Sequence, residues 1–358
     1  MDTGKKYQNW LMFWKRKPLR EPLLGAALEM GDLSIAIQGV DGEVTPFSLS
    51  IQSYLAVCDE AAKKVEGIRG HRVWAVSPFQ GLPWMEAICG STVFCSGASL
   101  WADTPEGEIE EHLASWETSS WFSLLKDSTA ALADHAGARY PVGLPVLRGP
   151  ADVAAALLSP GVFYMDLYDR PQRLQALLHQ ITDICLQVYR ETIALLPSFN
   201  QGFVQASRQV WAPELCVETQ EDAAANISPS HYQKFIHPLD KKFWNIAPYV
   251  FRHFHSAALQ HLNGVLVEPE LRAVGITIDD GGPPLPVIKD RIAAVQKAEK
   301  PVIVHGTLSA EDMAYLAGHL EPVGLYIAAR AHSAASANSL LAELELLIGE
   351  QLQEEASW

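Results

Sequence analysis

Two histidines stand two residues apart in a run of β-branched and aromatic residues, Tyr249–Ser256. In a β-strand, side chains two apart point to the same face. We therefore expect His253 and His255 to stand side by side at the end of a strand, where they can share a metal ion or a substrate. A third histidine at a later strand end would complete a zinc triad, since three protein ligands leave one position open. Hydrogen-bonded structural histidines are the alternative, and the spacing leaves both open.

The segments that must position these histidines alternate between strand and helix patterns. Eight strands are predicted, at 22–28, 72–76, 141–146, 203–206, 249–254, 274–279, 301–305 and 324–329. From residue 141 onward they alternate with helices, and several are continuous apolar runs, as is typical of parallel strands covered on both faces. Eight such units predict an α/β fold, a (β/α)8 TIM-type barrel. We expect one domain over 1–358, with an N-terminal extension at 1–20. A doubly wound open sheet is the competitor, but no glycine-rich nucleotide-binding motif follows any predicted strand.

In such a barrel, reactive groups gather at the carboxyl ends of the strands. Charged, imidazole and indole side chains occur at these ends: Arg208, Trp211, His253, His255, Asp279, Asp280, His305, Arg330 and His332. Because adjacent residues face opposite ways, only one of Asp279 and Asp280 is expected to point inward. The acidic run Glu218–Asp222 predicts either a solvated loop or a carboxylate turned into the barrel mouth.

Charge and composition exclude several classes of protein. The chain has 27 Lys and Arg against 42 Asp and Glu, a net charge of −15, which argues against nucleic acid as a partner. No segment reaches the eighteen uninterrupted apolar residues that a membrane span needs, and the start of the chain does not read as a secretory signal. The five cysteines are odd in number and form no Cys-x-x-Cys pair, so they predict reduced, mostly buried thiols and a cytoplasmic location.

Several motifs together resemble the uroporphyrinogen decarboxylase superfamily. They are Phe13-Trp14 with Arg20-Glu-Pro-Leu, Phe163-Tyr-Met-Asp-Leu-Tyr-Asp-Arg-Pro171, Asn226-Ile-Ser-Pro-Ser-His-Tyr-Gln-Lys-Phe235-Ile-His-Pro238, Arg252-His-Phe-His255 with Leu259-Gln-His-Leu, His305-Gly-Thr-Leu, and Asn338. The resemblance covers most of the chain and is firmer from about residue 140 onward. It implies a barrel whose relatives include decarboxylases and zinc-dependent, corrinoid-linked and thiol-directed methyltransferases.

Two departures from the family pattern narrow the function. The decarboxylases carry an arginine-rich segment after the first strand, whereas Gly25–Asp32 here contains no arginine, which argues against a porphyrinogen substrate. The methyltransferase branch holds zinc with His-x-Cys and a distant Cys. The matching positions here are His253, His255 and His332, so imidazole replaces both thiolates. A zinc ion held in this way is more Lewis-acidic and suits a bound oxygen better than a bound thiol.

The resemblance implies an enzyme that moves a methyl or one-carbon group from a small methylated donor to a corrinoid or thiol acceptor, with zinc assistance. Asp279 or Glu221 would act as the general acid or base. The other implied substrate-binding residues are Arg252, Arg208, Arg330, Trp211 and His305.

Two alternatives and two partners are also implied. The alternatives are a metal-free decarboxylase or lyase acting on a small carboxylate, and a non-catalytic barrel that binds a corrinoid or tetrapyrrole. A separate corrinoid protein and a second copy of the chain, in a homodimer, are the expected protein partners.

Overall fold

The strands form from the apolar and β-branched runs of the sequence. The structure, a computed structural model, describes residues 3–28, 41–97 and 99–355. Its strands are β1 (Leu23–Leu28), β2 (Gly42–Val44), β3 (Thr92–Ser96), β4 (Ser99–Asp103), β5 (Phe203–Gln205), β6 (Val210–Ala212), β7 (Cys216–Thr219), β8 (Tyr249–His255), β9 (Ala273–Ile278), β10 (Val302–Gly306) and β11 (Leu325–Ala331).

Helices connect most of these strands. They are α1 (Thr3–Trp14), α2 (Ile51–Val65), α3 (Trp84–Ile88), α4 (Ile109–Ala114), α5 (Ser120–Ala136), α6 (Pro150–Leu158), α7 (Pro160–Asp169), α8 (Pro171–Ile193), α9 (Pro229–His231), α10 (His237–Phe243), α11 (Leu262–Leu266), α12 (Leu285–Lys297), α13 (Ala310–His319) and α14 (Ala334–Glu355). A π-helical turn, Tyr232–Ile236, joins α9 to α10. No helix in the described part of the chain is long and apolar enough to cross a membrane.

Six strands form the central sheet, in the order β1-β11-β10-β9-β8-β7, and all its pairs are parallel. The α/β class is therefore confirmed, and five of the predicted strands match β1, β8, β9, β10 and β11. Closure into an eight-stranded barrel stays a prediction. The carboxyl ends of the six strands meet at one edge, where the sequence places the histidines.

The predicted strands at 72–76 and 141–146 are not strands in the structure. They meet in a single parallel bridge, Val76 to Val142. Backbone hydrogen bonds still join them to each other and to β1: Gly143 N donates to Val76 O (2.8 Å) and His71 N donates to Leu24 O (2.7 Å). These segments therefore lie beside the β1 edge of the sheet without forming a continuous ladder.

A strand does form at the predicted position 203–206, but it does not belong to the central sheet. It forms β5, which pairs antiparallel with β6 in a two-stranded hairpin outside the central sheet. The strand that the central sheet uses instead is β7, at Cys216–Thr219, whose last two residues belong to the acidic run Glu218–Asp222. A separate antiparallel sheet joins β2 to the β3–β4 hairpin.

The two faces of the central sheet bury different sets of side chains. One face packs Val217, Val250 and Ile276 into the main core beneath the helices. The other face carries Phe251, Ile303 and Tyr326, which form a second core with the aromatic residues of α1. Because side chains alternate along each strand, the second face also carries His253, His255 and His305 beyond this core.

The N-terminal extension is the helix α1, which closes the second core at the amino ends of the strands. Trp10 and Phe13 are fully buried there. Trp10 donates to the carbonyl of His71 (2.9 Å), and Trp14 donates to the carbonyl of Trp211 (2.8 Å). The predicted buried thiols are confirmed, because all five cysteines are free and buried. Residues 29–32 of the arginine-free segment lie outside the described residues.

Candidate active site

Neighbouring strands bring three histidines and a threonine together at their carboxyl ends. In the sheet register, Thr277 of β9 lies between His255 of β8 and His305 of β10. The Thr277 hydroxyl is 3.2 Å from Nε2 of His253 and 2.9 Å from Nε2 of His305. The ring centroids of His253 and His255 are 5.0 Å apart. The expectation that these two imidazoles share one strand face is therefore confirmed.

An ion pair lies against this histidine cluster. Arg208, at the tip of the β5–β6 hairpin, donates to Oε1 of Glu218 through Nε (2.8 Å) and contacts the same oxygen through Nη2 (2.6 Å). Its Nη1 donates to Nε2 of His305. The other oxygen of Glu218 accepts from Gln205 (3.0 Å) and from the Ser207 hydroxyl. Arg208, predicted among the strand-end groups, thus lies against the histidine cluster, and Glu218 of the acidic run pairs with it.

Burial and positive charge keep the two inner imidazoles neutral. Burial, reinforced by the guanidinium of Arg208, lowers the pKa of His253 well below its ordinary value. Burial and then Arg208 and Arg330 have the same effect on the pKa of His305. A neutral imidazole has one nitrogen that donates and one that accepts, so each ring can hold a proton at a defined atom.

His255 and Asp279 form a second pair, closer to solvent. Nδ1 of His255 lies 2.6 Å from Oδ1 of Asp279. Burial opposes ionisation of Asp279, but hydrogen bonds from His255, the Ser256 hydroxyl (3.0 Å) and the Ala257 amide (3.3 Å) outweigh it and lower its pKa. The ionised carboxylate only accepts, so Nδ1 of His255 carries a proton, and in the neutral form of the ring Nε2 keeps a lone pair. Asp222 Oδ1 lies 3.7 Å from that Nε2, beyond hydrogen-bonding distance.

A pocket of about 500 Å³ opens beside this pair. Its polar lining includes Glu221, Asp222, Asn226, His253, His255 and Asp279. The volume lies within the range that small-molecule sites occupy. The His255 side chain is 42% exposed, so its Nε2 is accessible from the pocket. As predicted for adjacent residues, Asp279 turns toward the site while Asp280 is exposed.

Arg252 lies on the opposite face of β8 from the histidines. Its side chain is buried, and Nη2 is 3.8 Å from Oδ2 of Asp240, which also accepts from the Tyr232 hydroxyl (2.6 Å). Burial disfavours its charge, but Asp240, Tyr232 and Glu221 more than offset this and raise its pKa. Strand alternation explains why Arg252 faces away from the histidine cluster, although it borders the same pocket from the other side.

The Glu221 side chain accepts hydrogen bonds at the start of a helix. Its Oε2 accepts from the backbone amides of Ala151 (2.8 Å) and Asp152 (3.3 Å) in the first turn of α6. Burial and the nearby charges of Asp152 and Asp240 raise its pKa well above the ordinary value. Burial and Asp222 likewise raise the pKa of Asp152 to about 7. The predicted catalytic candidate Glu221 is therefore a buried carboxyl with a raised pKa, held at a helix terminus.

Trp211 does not reach the strand ends predicted for it. The β5–β6 hairpin turns back at Arg208, so β6 returns Trp211 toward the amino ends, where it is buried against Tyr7 and Trp14 of α1. Trp211 lies three residues after Arg208, so it cannot share the position of the hairpin tip, and nothing in the local sequence indicates the turn. Arg330 is the last residue but one of β11 and His332 follows that strand, both at exposed positions.

The predicted zinc ligands do not form a metal site as they stand. Across residues 3–28, 41–97 and 99–355, no three His, Cys, Asp or Glu side chains are grouped so as to hold a metal ion. His253 and His255 turn one nitrogen each to Thr277 and Asp279, respectively. Among the described residues, His253, His255 and His332 are therefore not grouped as one centre, and zinc binding by them stays a prediction.

Sequence reasoning missed Thr277 and named Asp222 only as the end of the acidic run Glu218–Asp222. Thr277 is the inward residue directly before the strand end that Asp279 marks, so counting back by two along β9 would have found it. Local sequence does not tell which carboxylate of the run lies beside His255, because the position of Asp222 depends on how the turn after β7 packs.

Comparison with known proteins supports the fold more than the activity. No protein-family model and no curated protein matches the sequence. Among solved structures, the chain is similar to a methyltransferase from Methanosarcina mazei, with a TM-score of 0.63 and 12% identity over 96% of this chain and 98% of that one. The tryptophan synthase alpha subunit from Legionella pneumophila str. Paris also matches, with 11% identity over 82% of this chain and 98% of that one, but its TM-score is only 0.31.

Proposed function

We propose that the chain is a methyltransferase-like enzyme that moves a methyl or one-carbon group from a small methylated donor to a corrinoid or thiol acceptor. The observation that carries this proposal is the His255–Asp279 pair, whose free Nε2 faces a pocket at the strand ends. The similar structure from Methanosarcina mazei is described as a methyltransferase, which makes methyl transfer the first activity to test.

For a thiol acceptor, each residue has a defined role. Nε2 of His255 takes the thiol proton, and the thiolate sulfur attacks the methyl carbon of the donor. The bond from that carbon to the donor heteroatom breaks, the heteroatom keeps the electron pair, and His255 returns the proton to it. Asp279 orients the imidazole and stabilises its protonated form, in the way that a carboxylate supports a histidine base in other enzymes. Arg208 and Arg330 supply positive charge for an anionic group of the substrate.

Barrel closure, cellular location, protein partners and zinc are further proposals and predictions that go with this function. We propose that 72–76 and 141–146 bridge β1 and β7 to complete a (β/α)8 barrel in one domain over 1–358. A cytoplasmic location, a homodimer, a corrinoid protein partner and zinc remain predictions, and no catalytic step here runs through a metal.

The test is a methyl-transfer assay on the purified full chain. Methylated amines, sulfides and phenols are each mixed with a small thiol or with cob(I)alamin, and methylated product is measured by mass spectrometry. We expect product with at least one donor class, and we expect His255→Ala to lower its rate by about 10²–10⁴-fold, the range for loss of a general base. His319→Ala, at an exposed histidine that ends α13, is the control. No product with any pair, or an unchanged rate in His255→Ala, would contradict the proposal.

A small-carboxylate decarboxylase is the second candidate, and the two arginines favour it. Arg208 and Arg330 both place positive charge beside His305, where a carboxylate would be attracted. Release of carbon dioxide from a panel of small carboxylic acids, without methyl transfer, would support this alternative.

A further inference from the structure

The hydrogen-bond pattern around Thr277 fixes where the protons of two imidazoles lie. Arg208 has no acceptor atom, so its Nη1 must donate to Nε2 of His305. That nitrogen is therefore unprotonated, and the proton of the neutral His305 ring is on Nδ1, which is buried and has no hydrogen-bond partner among the described groups. The Thr277 hydroxyl, 2.9 Å from the same Nε2, can only donate to it.

The second contact of Thr277 then follows from the first. A hydroxyl has one hydrogen, and we assign that of Thr277 to His305, where it shares the Nε2 lone pair with Arg208, because only this direction makes both contacts of Thr277 donor to acceptor. The Thr277 oxygen is then left to accept. Nε2 of His253, 3.2 Å away, must supply the hydrogen. The neutral His253 ring thus carries its proton on Nε2, and its Nδ1 has a free lone pair.

Nδ1 of His253 has no hydrogen-bond partner among the described groups, although the residue is only 3% exposed. Oε1 of Glu218, which is another acceptor, lies 3.8 Å from it. Gly275, the register partner of His253 on β9, adds no side chain here: a Cβ at that position would lie 3.6 Å from Nδ1 of His253 and 3.3 Å from the Phe251 ring. A buried acceptor without a donor is unfavourable, so the position calls for a ligand that donates.

We propose that Thr277 is a positioning residue that holds His253 with its proton on Nε2 and His305 with its proton on Nδ1. His253 Nδ1 then receives a hydrogen bond from a hydroxyl, thiol or ammonium group of the substrate. The substrate part of this inference rests on the proposed function, whereas the proton positions depend only on the hydrogen bonds.

The test is long-range ¹H–¹⁵N NMR of the full chain labelled with [¹⁵N]histidine, which distinguishes the two neutral forms of each ring. Signals are assigned with His253→Asn and His305→Asn. We expect His253 as the Nε2–H form and His305 as the Nδ1–H form. Thr277→Val should leave His253 as a mixture of forms, and Thr277→Ser should restore the wild-type pattern. Thr219→Val is the control, because Thr219 is equally buried on β7 and its hydroxyl contacts only the Phe251 carbonyl (3.4 Å).

The outcomes separate this inference from the proposed function. A proton on Nε2 of His305 or on Nδ1 of His253 in the wild type would overturn it, as would identical spectra for the wild type and a folded Thr277→Val. If Thr277→Val does not fold, the wild-type spectrum alone decides. In a chain active in methyl transfer, Thr277→Val should lower the rate more than tenfold and Thr277→Ser should recover most of it. An inactive wild type would contradict only the methyltransferase function.

Discussion

His255 and Asp279 are the two residues on which the proposed chemistry depends. Their hydrogen bond leaves one nitrogen of His255 free in a half-exposed position, while His253 and His305 are buried and committed to Thr277. Because the partners of these two histidines differ, we propose different roles for them: proton transfer for His255 and substrate binding for His253.

Replacing Asp279 with Asn should weaken His255 as a base while keeping a side chain of the same shape beside it. The amide can still contact His255, but it cannot stabilise the protonated ring, so we expect kcat for methyl transfer to fall by about 10²–10⁴-fold with little change in KM. Steady-state kinetics measure both constants. Asp290→Asn, at an exposed aspartate on α12, is the matched control and should behave as the wild type.

Individual site residues were predictable to the extent that strand alternation places them. His253, His255, Asp279 and His305 follow from the strand pattern alone. Arg208 was found for a partly wrong reason, because it lies at a hairpin tip and not at the end of a strand of the central sheet. Trp211 was misplaced by the same hairpin. Three-dimensional turns of this kind are set by packing against β7 and α1, which local sequence does not encode.

Among the secondary-structure elements, α1 supports the site indirectly, by packing beneath the strands that carry the histidines. Its aromatic side chains fill the second core below the histidines, with Trp10 against Tyr326 (4.9 Å between ring centroids) and Trp14 against Tyr249 (4.8 Å). Tyr249 begins the strand that ends at His255. From the sequence, 1–20 is only an extension. Its role in the core could not be predicted, because the aromatic residues of its helix pack against strands that are distant in sequence.

Phe13→Ala should therefore destabilise the whole chain. Phe13 is fully buried, and removing such a ring typically costs about 3–5 kcal/mol through lost burial and the cavity it leaves. Phe47→Ala, at a phenylalanine that is 90% exposed, should change the free energy of unfolding by less than about 0.5 kcal/mol. Urea unfolding measures both. Equal effects of the two substitutions would contradict the assignment of α1 to the core.

At the scale of the whole molecule, a charged layer lies behind the catalytic face. Glu221, Asp152, Asp240 and Arg252 are all buried between the sheet and its helices. The chain's net charge of −15 adds to the difficulty of ionising every carboxyl there. Regular alternation from β8 to β11 made the parallel sheet predictable, whereas 72–76 and 141–146, which the sequence also predicts as strands, lack a continuous hydrogen-bond ladder.

This layer predicts how stability depends on pH. Asp152 has an ordinary pKa of about 3.9 when unfolded and about 7 when folded, so the folded state binds more protons between these values. Its contribution to stability is present below the unfolded pKa and is lost as pH rises through the folded pKa. We expect Asp152→Asn to be more stable relative to the wild type at pH 8 than at pH 5, by roughly 1–4 kcal/mol.

Urea unfolding at the two pH values measures this difference, with Asp290→Asn as the control. The amide can still accept from the Ala223 N–H, which is 2.6 Å from Oδ1 of Asp152. A relative stability of Asp152→Asn that does not change with pH would show that Asp152 is ionised at no cost in the folded chain.

Chemical rescue of His255→Gly tests the central claim most directly. The side chain is 42% exposed at the pocket, so free imidazole can enter the space that the substitution opens. We predict that His255→Gly loses methyl transfer and that added imidazole restores it in a concentration-dependent way, while His319→Gly is unaffected by either change. A His255→Gly chain that keeps its activity, or that imidazole does not restore, would contradict the assignment of His255 as the base.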